Sequence, residues 1–241
     1  YQWSTNKHGK ERNTDTDFSF TNYREADTRL AEYDRIGAKV DSILKQLPEE
    51  EKAGFYQLLY YPVKGCEFLN KMVLYGQKNR WYALQKRAAT NSISKEVKAY
   101  YDSLQIITQG YNSLLNGKWN PVMTTRQGFA ASYFELPKLM TVSLPDEPSL
   151  GVLAEGEDVL QGKSSIHTLP AFNTYFRQSY YVDLFNKGII PLNWSVTTSD
   201  DWIVIDKKEG ITKLEERIWV SIDWTKVPVG ERISGVIDVM A

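Results

Sequence analysis

The chain has 241 residues, a net charge of −1 at pH 7, 42% apolar residues and 24% charged residues. These proportions are typical of a folded protein, and the near-zero charge provides no basic surface for nucleic acid or an anionic membrane. No apolar run reaches the roughly 20 residues that a membrane-spanning helix needs. The length allows one large domain or two of modest size.

Residues 1–20 are polar and irregular, which predicts an extended arm from a preceding domain. Asn13, Asp15 and Asp17 alternate as the first ligands of a calcium loop do. However, Phe18 stands where that loop requires glycine, and Arg24 stands where it requires glutamate. We therefore predict a solvated acidic turn rather than a metal site.

Residues 21–120 are predicted to form a helical bundle, because their apolar residues recur at three- and four-residue steps. The first helix is expected to begin at Thr21 or Asn22, and Pro48 is expected to open the next one. Pro62 should kink or break the following helix at Tyr61. The predicted buried faces are Leu30, Tyr33, Ile36, Val40, Ile43, Leu44 and Leu47; then Phe55, Leu58, Leu59, Val63, Cys66, Leu69, Met72 and Val73; then Val97, Tyr101, Leu104, Ile107, Tyr111 and Leu114.

Residues 121–165 are predicted to be an irregular linker, because prolines and glycines interrupt every helical pattern there. Within this linker, residues 139–144 are the candidate first strand and residues 151–165 a linker or loose hairpin. From residue 166 to residue 241 the apolar period changes to two, which indicates strands with one buried face. The alternating positions are Ile190, Leu192, Trp194, Val196, Ile218, Val220, Ile222, Trp224, Ile233, Ile237 and Val239.

The change of period predicts an α+β chain of two domains, an N-terminal helical bundle followed by an antiparallel immunoglobulin-like β-sandwich. Cys66 is the single cysteine and can form no internal disulfide, and its place on an apolar stripe predicts a small buried side chain. His8 and His167 are far apart, and neither has a second ligand at metal spacing, so we expect no metal and no cofactor.

Several stretches together resemble glycoside hydrolase family 115, the xylan α-glucuronidases. YPVK at residues 61–64, Asn70, KNRWYALQKRAATN at 78–91 and GKWN at 117–120 are similar to the helical region that follows the catalytic barrel. FTNYREADTRLAEYD at 20–34 is similar to the lead-in to that region. RQSYYVDLFNKG at 177–188, WSVTTSDDWI at 194–203 and ERIWVSIDW at 216–224 are similar to the C-terminal β domain. The β stretches also resemble small immunoglobulin-like modules of bacterial polysaccharide enzymes.

The resemblance implies that the catalytic carboxylates belong to a barrel domain preceding this chain, so no catalytic residue is assigned here. It places Arg80, Trp119 and Asn120 where they could line the edge of the cleft. Each could equally be a packing residue, with Arg80 paired to a carboxylate of the bundle. We favour packing.

Trp219 shares its strand face with Ser221 and Asp223 and has two interpretations. An exposed tryptophan beside polar groups can stack on a sugar ring while its neighbours form hydrogen bonds. Alternatively, Trp219 faces the helical bundle as an interdomain anchor, which would make the two halves melt together. We favour the anchor.

Three functions remain open at this point. The first is the accessory C-terminal region of a bacterial family 115-like enzyme of polysaccharide utilisation, which removes glucuronic acid or 4-O-methylglucuronic acid from xylan. Its implied partners are the upstream catalytic barrel, xylan or glucuronoxylan oligosaccharides and a second copy of the chain, in a secreted or periplasmic parent. The second is a stand-alone carbohydrate-binding module. The third is a helical interaction module unrelated to sugars.

Overall fold

The computed structural model describes residues 15–124, 135–157, 166–230 and 232–241. A helical region is followed by two antiparallel sheets, which confirms the predicted α+β class. The chain divides into two compact units. One comprises Tyr1–Arg80 and Ser92–Met140, and the other comprises Trp81–Asn91 and Thr141–Ala241. Within the described part, no helix combines the length and apolar character needed to cross a membrane.

The helices are α1 (Glu25–Gln46), α2 (Glu49–Phe55), α3 (Tyr61–Leu84) and α4 (Ala89–Gly117). Helix α1 begins later than predicted, because Tyr23 and Arg24 adopt left-handed backbone conformations, with φ of 55° and 53°. The Ser19 hydroxyl oxygen accepts hydrogen bonds from the backbone amides of Thr21 and Asn22. These two residues therefore belong to the loop before the helix rather than to its cap.

A π-helical segment, Tyr56–Tyr60, joins α2 to α3 immediately before Pro62. The chain thus continues as a helix, and the looser π hydrogen bonding precedes the residue that lacks an amide hydrogen. The π segment has more residues per turn than an α-helix, which rotates the residues around it about the helix axis. Part of the predicted buried stripe is therefore wrong, since Leu58, Leu59 and Cys66 are exposed. Tyr56 and Tyr61 face α4 instead, where they bond the Ile107 carbonyl and the Thr108 hydroxyl.

The predicted face of α4 is confirmed at Val97, Leu104, Ile107 and Tyr111, which are all buried. The face of α1 is confirmed at Leu30 and Val40, but Ile36 is exposed. The buried position next to it is Gly37, which admits a charged side chain from α3.

That side chain belongs to a row of alternating charges between α1 and α3. Lys64 Nζ lies 3.0 Å from Asp41 and 2.6 Å from Glu67, and Lys71 Nζ lies 2.6 Å from Glu67 and also pairs with Asp34. Lys64 and Glu67 are buried. The interface between these helices is therefore partly ionic, which an apolar stripe does not predict.

The second unit contains a four-stranded sheet in the order β1-β2-β6-β4 and a three-stranded sheet in the order β5-β3-β7. The strands are β1 (Leu150–Ala154), β2 (Tyr180–Asn186), β3 (Leu192–Thr198), β4 (Ile203–Ile205), β5 (Glu209–Thr212), β6 (Glu215–Ile222) and β7 (Ile237–Met240). Their shared core consists of Val182, Leu184, Trp194, Val196, Trp202, Ile203, Ile205, Ile218 and Val220. Side chains of both sheets meet in this core, as in a β-sandwich.

The predicted position of the first strand is wrong. Residues 139–144 form no strand, whereas β1 pairs with β2 inside the stretch predicted to be a linker or hairpin. Gly151 made that stretch resemble a linker, but it lies opposite Phe185 in the register, and a β-carbon there would overlap the Phe185 ring. The glycine is thus a packing requirement of a strand.

Candidate functional site

The turn between α3 and α4 supplies the most densely connected side chains of the second unit. The Arg87 amide donates to the Tyr82 carbonyl and the Lys86 amide to the Ala83 carbonyl, each at 3.1 Å, with Lys86 in a left-handed conformation. This is the Schellman arrangement that ends a helix. The Ala88 amide then donates to the Asn186 carbonyl at the end of β2, over 2.8 Å. The turn is therefore fixed to the four-stranded sheet.

Arg87 is the centre of this arrangement and is completely buried. Its Nη1 lies 2.9 Å from Glu215 Oε2 and 3.6 Å from Asp183 Oδ2. The guanidinium carbon lies 4.0 Å from the centre of the Phe185 ring and 4.2 Å from that of Tyr82. A planar cation between aromatic rings and carboxylates is an environment that arginine suits better than lysine.

Asp183 receives a second arginine from β6. Arg217 Nε lies 2.8 Å from Asp183 Oδ1, and Arg217 Nη2 lies 3.2 Å from Oδ2, which is a two-point contact. The Arg217 guanidinium also stacks on Tyr181 at 3.7 Å. We call Arg87, Arg217, Asp183 and Glu215 the arginine–carboxylate cluster. Its charges balance, which offsets the cost of burial.

Tyr82 completes the cluster by donating its hydroxyl hydrogen to Glu215 Oε1 over 3.1 Å. Burial raises the pKa of Tyr82 well above its usual value; Arg87 opposes this increase, and Glu215 and Asp183 add to it. The phenol therefore stays protonated and acts as a hydrogen-bond donor. The arrangement holds two arginines and two carboxylates in fixed positions.

Trp219 lies on the same face of the sheet as Arg217. Its ring meets Tyr181 edge to face, with the ring centres 5.8 Å apart, and its amide donates to Asp206 Oδ1 over 2.8 Å. The side chain is half-buried. The anchor and sugar-binding interpretations of Trp219 both stay predictions.

Arg80 belongs to the first compact unit, which we call the helical unit, and contacts separate stretches of its chain. Its Nη1 donates to the Lys138 carbonyl over 3.0 Å, and its Nη2 pairs with Asp15. Asp15 was one member of the pattern that resembles a calcium loop; Asn13 lies outside the described residues. The contacts of Arg80 are those of a packing residue, and a role at a cleft edge stays a prediction.

Trp119 and Asn120 follow α4 in the helical unit. Trp119 is half-buried, and Lys118 Nζ lies 5.0 Å from the centre of its ring. Its Nε1 is buried and has no hydrogen-bond acceptor among the described residues. The side chain of Asn120 is exposed. Trp119 and Asn120 belong to the first compact unit and Trp219 to the second, and a substrate contact at any of them stays a prediction.

The one histidine within the described residues pairs with a carboxylate. His167 Nδ1 lies 2.6 Å from Glu157 Oε2, and His8 lies outside the described residues. Across the described ranges, no group of three or more histidine, cysteine, aspartate or glutamate side chains could hold a metal ion.

Side-chain amides hold extended segments that sequence reasoning could not place. Asn79 accepts the Met140 amide at 2.7 Å and donates to the Met140 carbonyl at 3.0 Å. Asn91 holds Val142 in the same way, at 2.9 and 3.0 Å. We call each such pair of hydrogen bonds an amide clamp. The only signal in the sequence is an asparagine on a helix, where that residue is a poor helix former.

No family model and no curated protein matches this chain. Among solved structures, it is similar to a family GH115 4-O-methyl-α-glucuronidase with specificity for decorated arabinogalactans. The identity is 16%, the TM-score is 0.42, and the match covers 90% of this chain and 31% of the enzyme's chain. This chain thus spans about a third of that enzyme's length.

Proposed function

We propose that this chain is a non-catalytic accessory region of a larger glycoside hydrolase. The parent that we propose is a family 115-type α-glucuronidase, which removes glucuronic acid or its 4-O-methyl ether from xylan. In this role the chain braces the catalytic barrel and shapes the edge of its cleft. A polysaccharide substrate is met outside the cytoplasm, so the proposed parent is secreted or periplasmic.

The observation that supports this proposal is the arginine–carboxylate cluster. Three of its four members come from stretches on which the resemblance rests: Arg87 from residues 78–91, Asp183 from 177–188 and Arg217 from 216–224. These stretches are far apart in the chain and contact one another in the fold. Packing within the fold therefore explains why these stretches occur in one chain, and a packed region fits a bracing role.

The same cluster argues against hydrolysis by these acids. Glycoside hydrolysis needs two carboxylates across the scissile bond, with room between them for sugar and, in inverting enzymes, for water. Asp183 is buried between two arginines, and Glu215 accepts hydrogen bonds from Arg87 and Tyr82. Asp183 therefore has no open face for a substrate, and the partly exposed Glu215 is already engaged by Arg87 and Tyr82.

The proposal is tested by assaying the isolated chain on glucuronoxylan, on aldouronic acids and on glucuronate-decorated arabinogalactan. We expect no release of uronic acid above a buffer control. Release that is abolished when an acid of this chain is replaced would contradict the proposal. A contaminating hydrolase would be insensitive to that replacement, which makes the variant the necessary control.

The bracing role is tested with the natural full-length protein. Arg87→Lys should lower the melting temperature and the catalytic rate on aldouronic acids together. Lys207→Ala, at an exposed ion pair of the same unit, is the matched control and should change neither. An Arg87→Lys enzyme with a lower melting temperature and unchanged kinetics would remove support for a role in shaping the cleft.

A second candidate is a carbohydrate-binding module, which the half-buried ring of Trp219 favours. Titration with xylohexaose should then change the tryptophan fluorescence of the chain. Trp219→Phe should abolish the change, whereas Trp202→Phe, deep in the sandwich core, should preserve it. A fluorescence change that survives Trp219→Phe would exclude this surface.

A further inference from the structure

An open cleft lies beside the beginning of α1 in the helical unit. None of the residues considered above as substrate contacts contributes to it. Its lining combines aromatic rings, carboxylates, a hydroxyl and a guanidinium, from Phe18, Tyr23, Glu25, Thr28, Arg29 and Glu32.

The ring of Tyr23 is held in solvent at this cleft. The side chain is 90% exposed. Tyr23 and Arg24 are consecutive left-handed residues, and neither is a glycine. Such conformations are strained and persist only where the surroundings enforce them.

Ser19 enforces this conformation. Its carbonyl accepts the Ala26 amide over 3.0 Å, and its own amide donates to Glu25 Oε2 over 2.9 Å. The loop is therefore closed by hydrogen bonds that leave the Tyr23 side chain out of the packing. An exposed aromatic ring is available to stack on a flat apolar surface.

The charged side chains of the cleft differ in how far they are already engaged by other residues. Arg29 is part of the wall: its Nε donates to Asn70 Oδ1 over 2.8 Å, and its guanidinium lies 4.6 Å from the centre of the Phe18 ring. Glu25 uses Oε2 for the Ser19 amide, which leaves Oε1 as an acceptor. Glu32 and Thr28 have exposed side chains on the same lining.

We propose that this cleft binds a neutral sugar unit. The apolar C–H face of the sugar stacks on Tyr23, and its hydroxyls donate to the carboxylates of Glu25 and Glu32 and exchange hydrogen bonds with Thr28. A uronic acid is disfavoured, because the two carboxylates of the lining outnumber its one guanidinium. The idea that the sugar belongs to a polysaccharide rests on the proposed function above.

A simple cation is the competing ligand, since aromatic rings and carboxylates also attract ammonium groups. Arg29 adds a positive charge to this lining, which weakens the attraction for an ammonium ion, and the separate acceptors of the lining suit a ligand with several hydroxyls. This lining favours a neutral ligand rich in hydroxyls over an ammonium ion.

The test uses the isolated chain with xylotetraose, an aldouronic acid of the same length, and butylammonium. Binding is followed by saturation-transfer NMR and calorimetry. We expect xylotetraose to bind at least ten-fold more tightly than either of the other probes. Tyr23→Ala should weaken xylotetraose binding at least ten-fold, and Glu32→Gln several-fold.

Tyr175→Ala is the matched control, because Tyr175 is an exposed tyrosine of the other unit, with 93% of its surface accessible. It should leave binding unchanged, and circular dichroism should be the same for both tyrosine variants. Absence of xylotetraose binding, an equal loss with Tyr175→Ala, or tighter binding of butylammonium would each overturn the proposal. The two proposals fail separately: uronic acid release by the chain contradicts the accessory role alone, and an inactive chain that binds no neutral sugar contradicts the cleft alone.

Discussion

Gly37 of α1 lies directly against the carboxylate of Glu67 in α3, and a β-carbon at position 37 would overlap that carboxylate. Glu67 cannot easily withdraw, because Lys64 and Lys71 both pair with it at 2.6 Å and the side chain is buried. The row of alternating charges between these helices therefore depends on a residue that carries no side chain.

Gly37→Ala is expected to destabilise the protein by about 1–3 kcal/mol, the usual cost of overpacking a buried site. Gly65→Ala on α3 is the matched control, since no atom lies within 4 Å of a β-carbon there. That change should stabilise the helix by about 0.5–1 kcal/mol. Urea denaturation of both variants measures the difference. The packing argument is wrong if Gly37→Ala is as stable as Gly65→Ala.

Arg87→Ala should cost about 3–5 kcal/mol, because it leaves Glu215 without its arginine and removes the cation stacked between Phe185 and Tyr82. Arg87→Lys should recover less than half of this loss, since an ammonium group cannot reproduce the planar stacking. The exposed pair of Lys207 with Glu216 offers the comparison, and Lys207→Ala should leave stability nearly unchanged. Equal unfolding free energies for Arg87→Lys and the parent protein would contradict the assigned role.

Glu157 should make the stability of the fold sensitive to acid. Burial opposes ionisation of this carboxyl, but hydrogen bonds from His167, Ala154 and Thr168 outweigh burial and lower its pKa. A carboxyl with a lowered folded-state pKa stabilises the fold above its unfolded-state pKa, and this contribution is lost as the pH falls through the folded value.

Between about pH 6 and pH 3, Glu157→Gln should therefore lose less stability than the parent protein. Urea midpoints across this range measure the effect. Glu209→Gln, at an exposed position, should retain the parental acid dependence. If both variants follow the parental curve, the Glu157–His167 pair has no part in acid stability.

Asn79→Asp and Asn91→Asp should each destabilise the protein by about 1–3 kcal/mol. The substitution removes the donor of an amide clamp and turns a carboxylate oxygen toward the backbone carbonyl. Asn193→Asp, at an exposed site of β3, is the control and should be nearly neutral. Thermal melts of all three variants provide the comparison, and neutral behaviour of Asn79→Asp would mean that the Met140 segment is held by other contacts.

Periodicity predicted those parts of the fold in which neighbours along the chain decide burial. The steps of Val97, Leu104, Ile107 and Tyr111 follow one helical turn after another, and Leu192, Trp194 and Val196 follow the pleat of a strand. Both patterns depend only on neighbours along the chain, so they can be recognised without knowledge of the rest of the molecule.

Other features depend on contacts between distant residues. Arg87 and Glu215 are separated by 128 positions, and no local pattern links an arginine in a turn to a carboxylate in β6. The displaced stripe before Tyr61 has a different cause, since the π segment changes the number of residues per turn. The cleft at Tyr23 was missed because Thr21 and Asn22 looked like helix caps, whereas Ser19 organises that loop.

The turn at Arg87 also determines how this protein can be divided. Residues Trp81–Asn91 belong to the second compact unit, the β unit that contains both sheets, although the chain on either side of them belongs to the helical unit. A single cut after residue 140 would therefore separate the sheets from Arg87 and Tyr82 and open the faces of Asp183 and Phe185 to water. We expect the fragment 141–241 to aggregate when expressed alone, and to regain solubility when a peptide of residues 78–94 is supplied in trans. For this chain, the shortest autonomous β unit is one that is discontinuous in sequence.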